Sequence, residues 1–142
     1  MRKLLFSTII FSLLVLITIS CKKKDDDPKP SDAITIVSVT PSTGLVDGQS
    51  TSFTVEVKYT LNTAEEGAIE VGFNTYDPSY YSMDISSEFA VTKGSGTHTF
   101  TTTAVPKNWG GSNHFKAYVN IAKTPHGPAY HPTASDTRNL SF

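Results

Sequence analysis

Four histidines, His98, His114, His126 and His131, are the first candidates for chemistry in this 142-residue chain. Neutral imidazole ligates zinc and titrates near neutrality. Their spacing argues against both uses. His126 and His131 stand five apart across Gly127-Pro128 with no cysteine or acidic partner beside them, and His98 and His114 fall on separate predicted strands. The carboxylates Glu65-Glu66, before Gly67 in what reads as a hairpin, and Asp77, before Pro78, lack the dense acidic spacing of a calcium loop. They read as solvated turn residues. No HExxH, nucleophile motif or glycine-rich phosphate loop occurs. The expectation is a non-enzymatic chain with no metal and no cofactor.

Aromatic rings in turn-rich segments are the stronger candidates. Tyr76, Tyr80 and Tyr81 lie in one tyrosine-dense stretch, Trp109 precedes Gly110-Gly111, and Tyr130 follows Pro125-His126-Gly127-Pro128-Ala129. Tyrosine and tryptophan offer large, rigid contact area with a polar tip, which suits protein interfaces and sugar faces. These five rings are the candidate ligand-binding set, and sealing the ends of a core is the structural alternative for them.

The single cysteine, Cys21, leaves no intramolecular disulfide available. It stands where an apolar segment ends and a charged one begins. Arg2 and Lys3 precede residues 4–19, apolar apart from Ser7, Thr8, Ser12 and Thr18, and Lys22-Lys23-Lys24-Asp25-Asp26-Asp27 follows the cysteine. Sixteen helical residues span about 24 Å, short of the ~30 Å hydrocarbon core of a bilayer. The segment therefore reads as the h-region of a signal peptide.

This order resembles a bacterial lipoprotein signal peptide, and Thr18-Ile19-Ser20-Cys21 is similar to a lipobox, with Thr18 where leucine is usual. The resemblance implies cleavage after residue 20, a diacylglyceryl group on the Cys21 thiol and a further palmitate-type chain on the new amino terminus. Each buried methylene contributes about 0.8 kcal/mol, so two or more chains hold a protein stably on a membrane. The charge block after Cys21 resembles the export signals of Bacteroidetes lipoproteins, which implies display on the outer face of the outer membrane. As a plain spacer, residues 22–32, stiffened by Pro28 and Pro30, reach at most about 36 Å.

The expected organisation is a signal peptide at 1–20, a lipidated cysteine and charged linker at 21–32, and one domain at 33–142. The domain holds six Lys or Arg against nine Asp or Glu. Its mild acidity, with no basic stripe, gives no reason to expect nucleic acid. Period-two alternation dominates. Phe53, Val55, Val57, Tyr59 and Leu61 alternate with polar residues, and Phe115, Ala117, Val119 and Ile121 do the same, as strands with one buried face require. Weaker strands read at 34–39, 68–74, 89–91, 98–105 and 137–142, with turns at Asp47-Gly48, Gly94-Ser95-Gly96 and Trp109-Gly110-Gly111. Thr97, Thr99, Thr101, Thr102 and Thr103 are expected to dress a solvent face.

About seven short strands predict an all-β antiparallel sandwich. The segment Ile34-Thr35-Ile36-Val37-Ser38-Val39-Thr40-Pro41, followed by Asp47-Gly48-Gln49, resembles the opening of bacterial immunoglobulin-like and fibronectin III-like modules. The cysteine pair of antibody domains is absent. The functional expectation is a surface-exposed, membrane-anchored binding module for a glycan or protein. The alternative is a structural or accessory subunit of an envelope complex.

Overall fold

The computed structural model describes residues 29–74, 84–108, 115–124 and 131–142. Among them are five strands and no helix: β1 (Ala33–Thr40), β2 (Thr51–Phe73), β3 (Asp84–Ala104), β4 (Lys116–Lys123) and β5 (Ala134–Asn139). All pairings are antiparallel, in the order β1-β2-β4-β5 with β3 along the other side of β2.

Five strands, rather than about seven, is a correction with a clear cause. Glu65-Glu66-Gly67 and Gly94-Ser95-Gly96 are not turns but bends inside the continuous strands β2 and β3. At the bend the register moves from Leu61↔Gly94 to Glu66↔Thr92, so four residues of β2 face the single Lys93 of β3. Such an excess turns a strand sharply. Gly94 holds a φ of 131° there, a conformation L side chains rarely adopt. Gly67 is needed for closeness: a Cβ at that position would stand 2.6 Å from the Ala122 carbonyl oxygen and 2.9 Å from Leu61 Cδ2.

The bend folds β2 onto itself. Twenty residues of straight strand would separate Phe53 from Phe73 by about 66 Å, yet their ring centroids lie 4.7 Å apart. Phe115 stacks on Phe73 at 5.7 Å. The two arms of β2 face one another across one core containing Phe53, Val55, Val57 and Leu61 from the first arm and Ile69, Val71 and Phe73 from the second, with Ala117, Val119 and Ile121 of β4. Alternation places these side chains correctly, Tyr59 alone being half-buried.

Two smaller departures follow from the same geometry. In β1, Ile34 and Ile36 point inward, a bulge at Val37 breaks the register between Ile36 and Ser38, and Val39 is the next inward residue. In β3, Thr97, Thr99, Thr101 and Thr103 are exposed, but Thr102 is buried, because consecutive residues of a strand must alternate faces. β1 and β5 are adjacent without a backbone ladder. Asp136 Oδ2 accepts the Ile36 amide at 2.8 Å, while Arg138 donates to the carbonyls of Ile36 and Val37 at 3.1 and 3.2 Å. Side chains thus close that side, and β3 forms the other.

Candidate functional site

The bends give the molecule two ends. At the corner end lie the bends of β2 and β3, the start of β1 (Ala33↔Thr60) and the end of β4 (Gly67↔Lys123). At the far end lie the start and finish of β2, the start of β4 (Phe73↔Ala117) and the finish of β1 (Thr40↔Thr54).

Cys21 and the candidate rings Tyr76, Tyr80, Tyr81, Trp109 and Tyr130 all lie outside the described residues, as do His114, His126 and Asp77. The described residues beside them fix where their segments start. Segment 75–83 leaves from Asn74 and returns at Asp84, opposite Phe73. Segment 109–114 runs into Phe115 beside the same place: the Asn74 amide donates to the Lys116 carbonyl at 3.2 Å, and the Lys116 amide donates to Asn74 Oδ1. Four of the five rings therefore belong to segments rooted together at the far end. Segment 125–130 leaves from Thr124, whose amide bonds the Glu66 carbonyl at 3.1 Å. The root of Tyr130's segment is at the corner end.

The far end is stapled by backbone bonds between distant stretches. Leu45 donates to the Ser141 carbonyl at 3.1 Å, Ser141 to Ser42 at 3.0 Å, Gly48 to Pro106 at 2.8 Å and Leu140 to Phe115 at 2.9 Å, while Asp47 Oδ1 accepts the Asn108 amide at 2.8 Å. Beside these bonds Val46 is 57% exposed, Val105 38% and Phe142 37%. Scattered exposed apolar residues are ordinary; several brought to one end of a small domain are the beginning of a contact surface. Periodicity does not point to Val46, which stands outside the alternating runs, and Val105 is the last residue of the run read at 98–105. In the run read at 137–142, Leu140 is buried, while Phe142 meets Phe115 edge-on at 6.4 Å.

Among the described residues His131 is exposed, while His98, Glu65 and Glu70 are structurally engaged. His98 stacks on Phe89 with centroids 3.6 Å apart and meets Phe100 edge-on at 4.6 Å. Glu65 pairs with Lys93 at 2.7 Å on the surface of the corner, and Glu70 is buried and bonded. Among the described residues no group of three His, Cys, Asp or Glu is placed to hold a metal ion, and no buried side-chain polar atom lacks a partner. No helix among them is long and apolar enough to cross a membrane.

Asp32 organises the corner. Its Oδ1 accepts the amides of Asn62 and Thr63 at 2.7 and 2.9 Å, and its Oδ2 accepts the Thr63 hydroxyl at 2.6 Å. Partial burial pushes its carboxyl up, but hydrogen bonds from Thr133, Thr63 and the two amides outweigh that and hold it below the ordinary value. On acidification the unfolded chain takes the proton first. The stabilisation is therefore fully present above about pH 4 and is lost as pH falls through the lowered folded value. Wild type is expected to exceed Asp32→Asn in stability at pH 7 and to lose that margin towards pH 2, read by urea unfolding at both pH values. A margin independent of pH would refute this assignment.

No protein-family model matches the chain. No curated protein matches it. Chains of solved structures do match. One is a CARDB domain from Pyrococcus furiosus crystallised in complex with di-metal ions, 11% identical, covering 78% of this chain and 91% of that one with a TM-score of 0.39. At that score the likeness carries neither metal site nor activity to this chain, whose all-β class rests on its own strands.

Proposed function

We propose that this chain is a lipoprotein anchored through Cys21 to the outer membrane, which displays a non-catalytic, immunoglobulin-like sandwich as a binding module for a glycan or protein ligand at the cell surface. Dividing β2 and β3 at their bends supports the sandwich reading. Seven segments result, three in one layer (β1, the first arm of β2, the second arm of β3) and four in the other (the first arm of β3, the second arm of β2, β4, β5).

The observation that carries the functional reading is polarity. The tether side of the domain, Asp32 and the start of β1, is at the corner. The segments bearing Tyr76, Tyr80, Tyr81 and Trp109 are rooted at the opposite end, beside exposed Val46, Val105 and Phe142. A domain tethered at one end presents the other to whatever lies beyond the membrane.

A second reading, a structural or accessory subunit of an envelope complex, is favoured by β3. Among the described residues it pairs only with β2, and residues 94–104 carry no Lys, Arg, Asp, Glu or Pro. An uncharged, proline-free edge accepts an extended strand from a partner.

Cys21→Ala is expected to move the protein from the membrane fraction to the soluble one, or to leave an unprocessed precursor. Unchanged processing and retention would sink the lipoprotein reading. Protease added to intact cells, with a periplasmic protein as leakage control, is expected to digest the domain. Protection would move it to the periplasmic side and shift the weight to the accessory-subunit reading.

A further inference from the structure

Ser31 and Asp32, assigned to the linker on sequence, are built into the fold. The four residues of β2 that exceed the ladder at the corner include Asn62 and Thr63, whose amides have no β3 register partner. Asp32 Oδ1 takes both amides, Asp32 Oδ2 takes the Thr63 hydroxyl, and the Asn62 side-chain amide donates to the Ser31 carbonyl at 2.9 Å. One short acidic side chain joins the tether to the bend of β2. Only a carboxylate offers two oxygens with enough lone pairs for this set at so short a reach.

We propose that Asp32 is an orientation lock, which fastens the tether to the corner so that it leaves in one direction and the far end stays turned away from the attachment point. The dimensions make such a device consequential. The ten residues 22–31 reach at most about 33 Å, and the first arm of β2, residues 51–61, is also about 33 Å long. A freely hinged domain can therefore roll over and bring Val46, Val105 and Phe142 down to the surface that holds it. A fixed exit direction, continued through the stiffening Pro28 and Pro30, disfavours those poses. The functional meaning rests on the anchored reading; the lock itself does not.

The test uses the full chain in lipid vesicles with Asp32→Ala and Asp32→Asn, the latter keeping an oxygen for the two amides. Hydrogen exchange at Asn62 and Thr63 is expected to rise at least tenfold in Asp32→Ala, to return most of the way in Asp32→Asn, and to stay unchanged at Val119. A fluorophore on Val46→Cys should transfer little energy to acceptor-labelled lipid in the wild-type background and severalfold more with Asp32→Ala. If Cys21 is not lipidated, its free thiol also takes a label. The anchored reading then fails, and the distance between the labels at positions 21 and 46 reads orientation directly: long and narrowly distributed with Asp32, shorter and broader with Asp32→Ala. Unchanged exchange at Asn62 and Thr63 overturns the lock. Faster exchange with no change in transfer or distance overturns its control of direction.

Discussion

Val119→Asp is expected to abolish cooperative folding. Val119 is fully buried in β4, in register with Val71 on one side and Asp136 on the other. A carboxylate there loses the roughly 1.5–3 kcal/mol of burying the valine. It must also remain charged without a partner or take up a proton, either of which costs several kcal/mol more. Together these match most of the stability of about 5–15 kcal/mol typical of a small domain. Val57→Asp, on the facing arm, makes the same demand. Far-ultraviolet dichroism and urea titration would read the outcome, and a soluble variant with a sharp transition would refute the assigned faces.

Gly67→Val carries the second largest expected effect. The Cβ that any substitution introduces would stand 2.6 Å from a backbone oxygen, that of Ala122, and 2.9 Å from Leu61 Cδ2. Leu61 can rotate, but the Ala122 carbonyl belongs to β4 where it runs beside β2, and moving it strains the Ala68↔Ala122 register. Overpacking of this kind costs about 1–3 kcal/mol, and a branched side chain adds to it. Gly96 supplies the control. The three atoms nearest a Cβ there all belong to the Tyr59 side chain, at 2.9–3.1 Å, and that half-buried side chain can swing aside. Gly67→Ala should lower the urea midpoint clearly, Gly67→Val further, and Gly96→Ala least; equal effects at the two glycines would overturn the account.

The same two glycines explain what the sequence conveyed and what it concealed. Alternation in Phe53-Thr54-Val55-Glu56-Val57 and in Phe115-Lys116-Ala117-Tyr118-Val119 fixes buried faces, because period two admits only one partition. Glu65-Glu66-Gly67 and Gly94-Ser95-Gly96 have the composition of turns, but composition does not separate a reversal from a bend in a continuing strand. The difference lies in what the missing Cβ avoids, a carbonyl of β4 for Gly67 and a ring of β2 for Gly96. The bulge at Val37 left a faint trace, since Ile34, Ile36 and Val39 cannot share a face in unbroken alternation. Asp32 left none, because it closes a charged, proline-rich stretch and its partners Asn62 and Thr63 lie about thirty residues on. The far-end cluster was hidden for a similar reason: Val46, Val105 and Phe142 come from three separate stretches.

The side-chain closure between β1 and β5 also sets an order of events during folding. The bond from the Ile36 amide to Asp136 spans one hundred residues, and Arg138 reaches the Ile36 carbonyl across one hundred and two. Contacts so distant along the chain are entropically late, and domains dominated by them fold in milliseconds to seconds rather than microseconds. A chain emerging from its amino terminus completes β1, β2, β3 and β4 before the residues that latch β1 exist. Until the last six-residue strand arrives, the outer edge of the first strand is open, and the window for pairing with the wrong neighbour is as long as the wait for Ala134–Asn139.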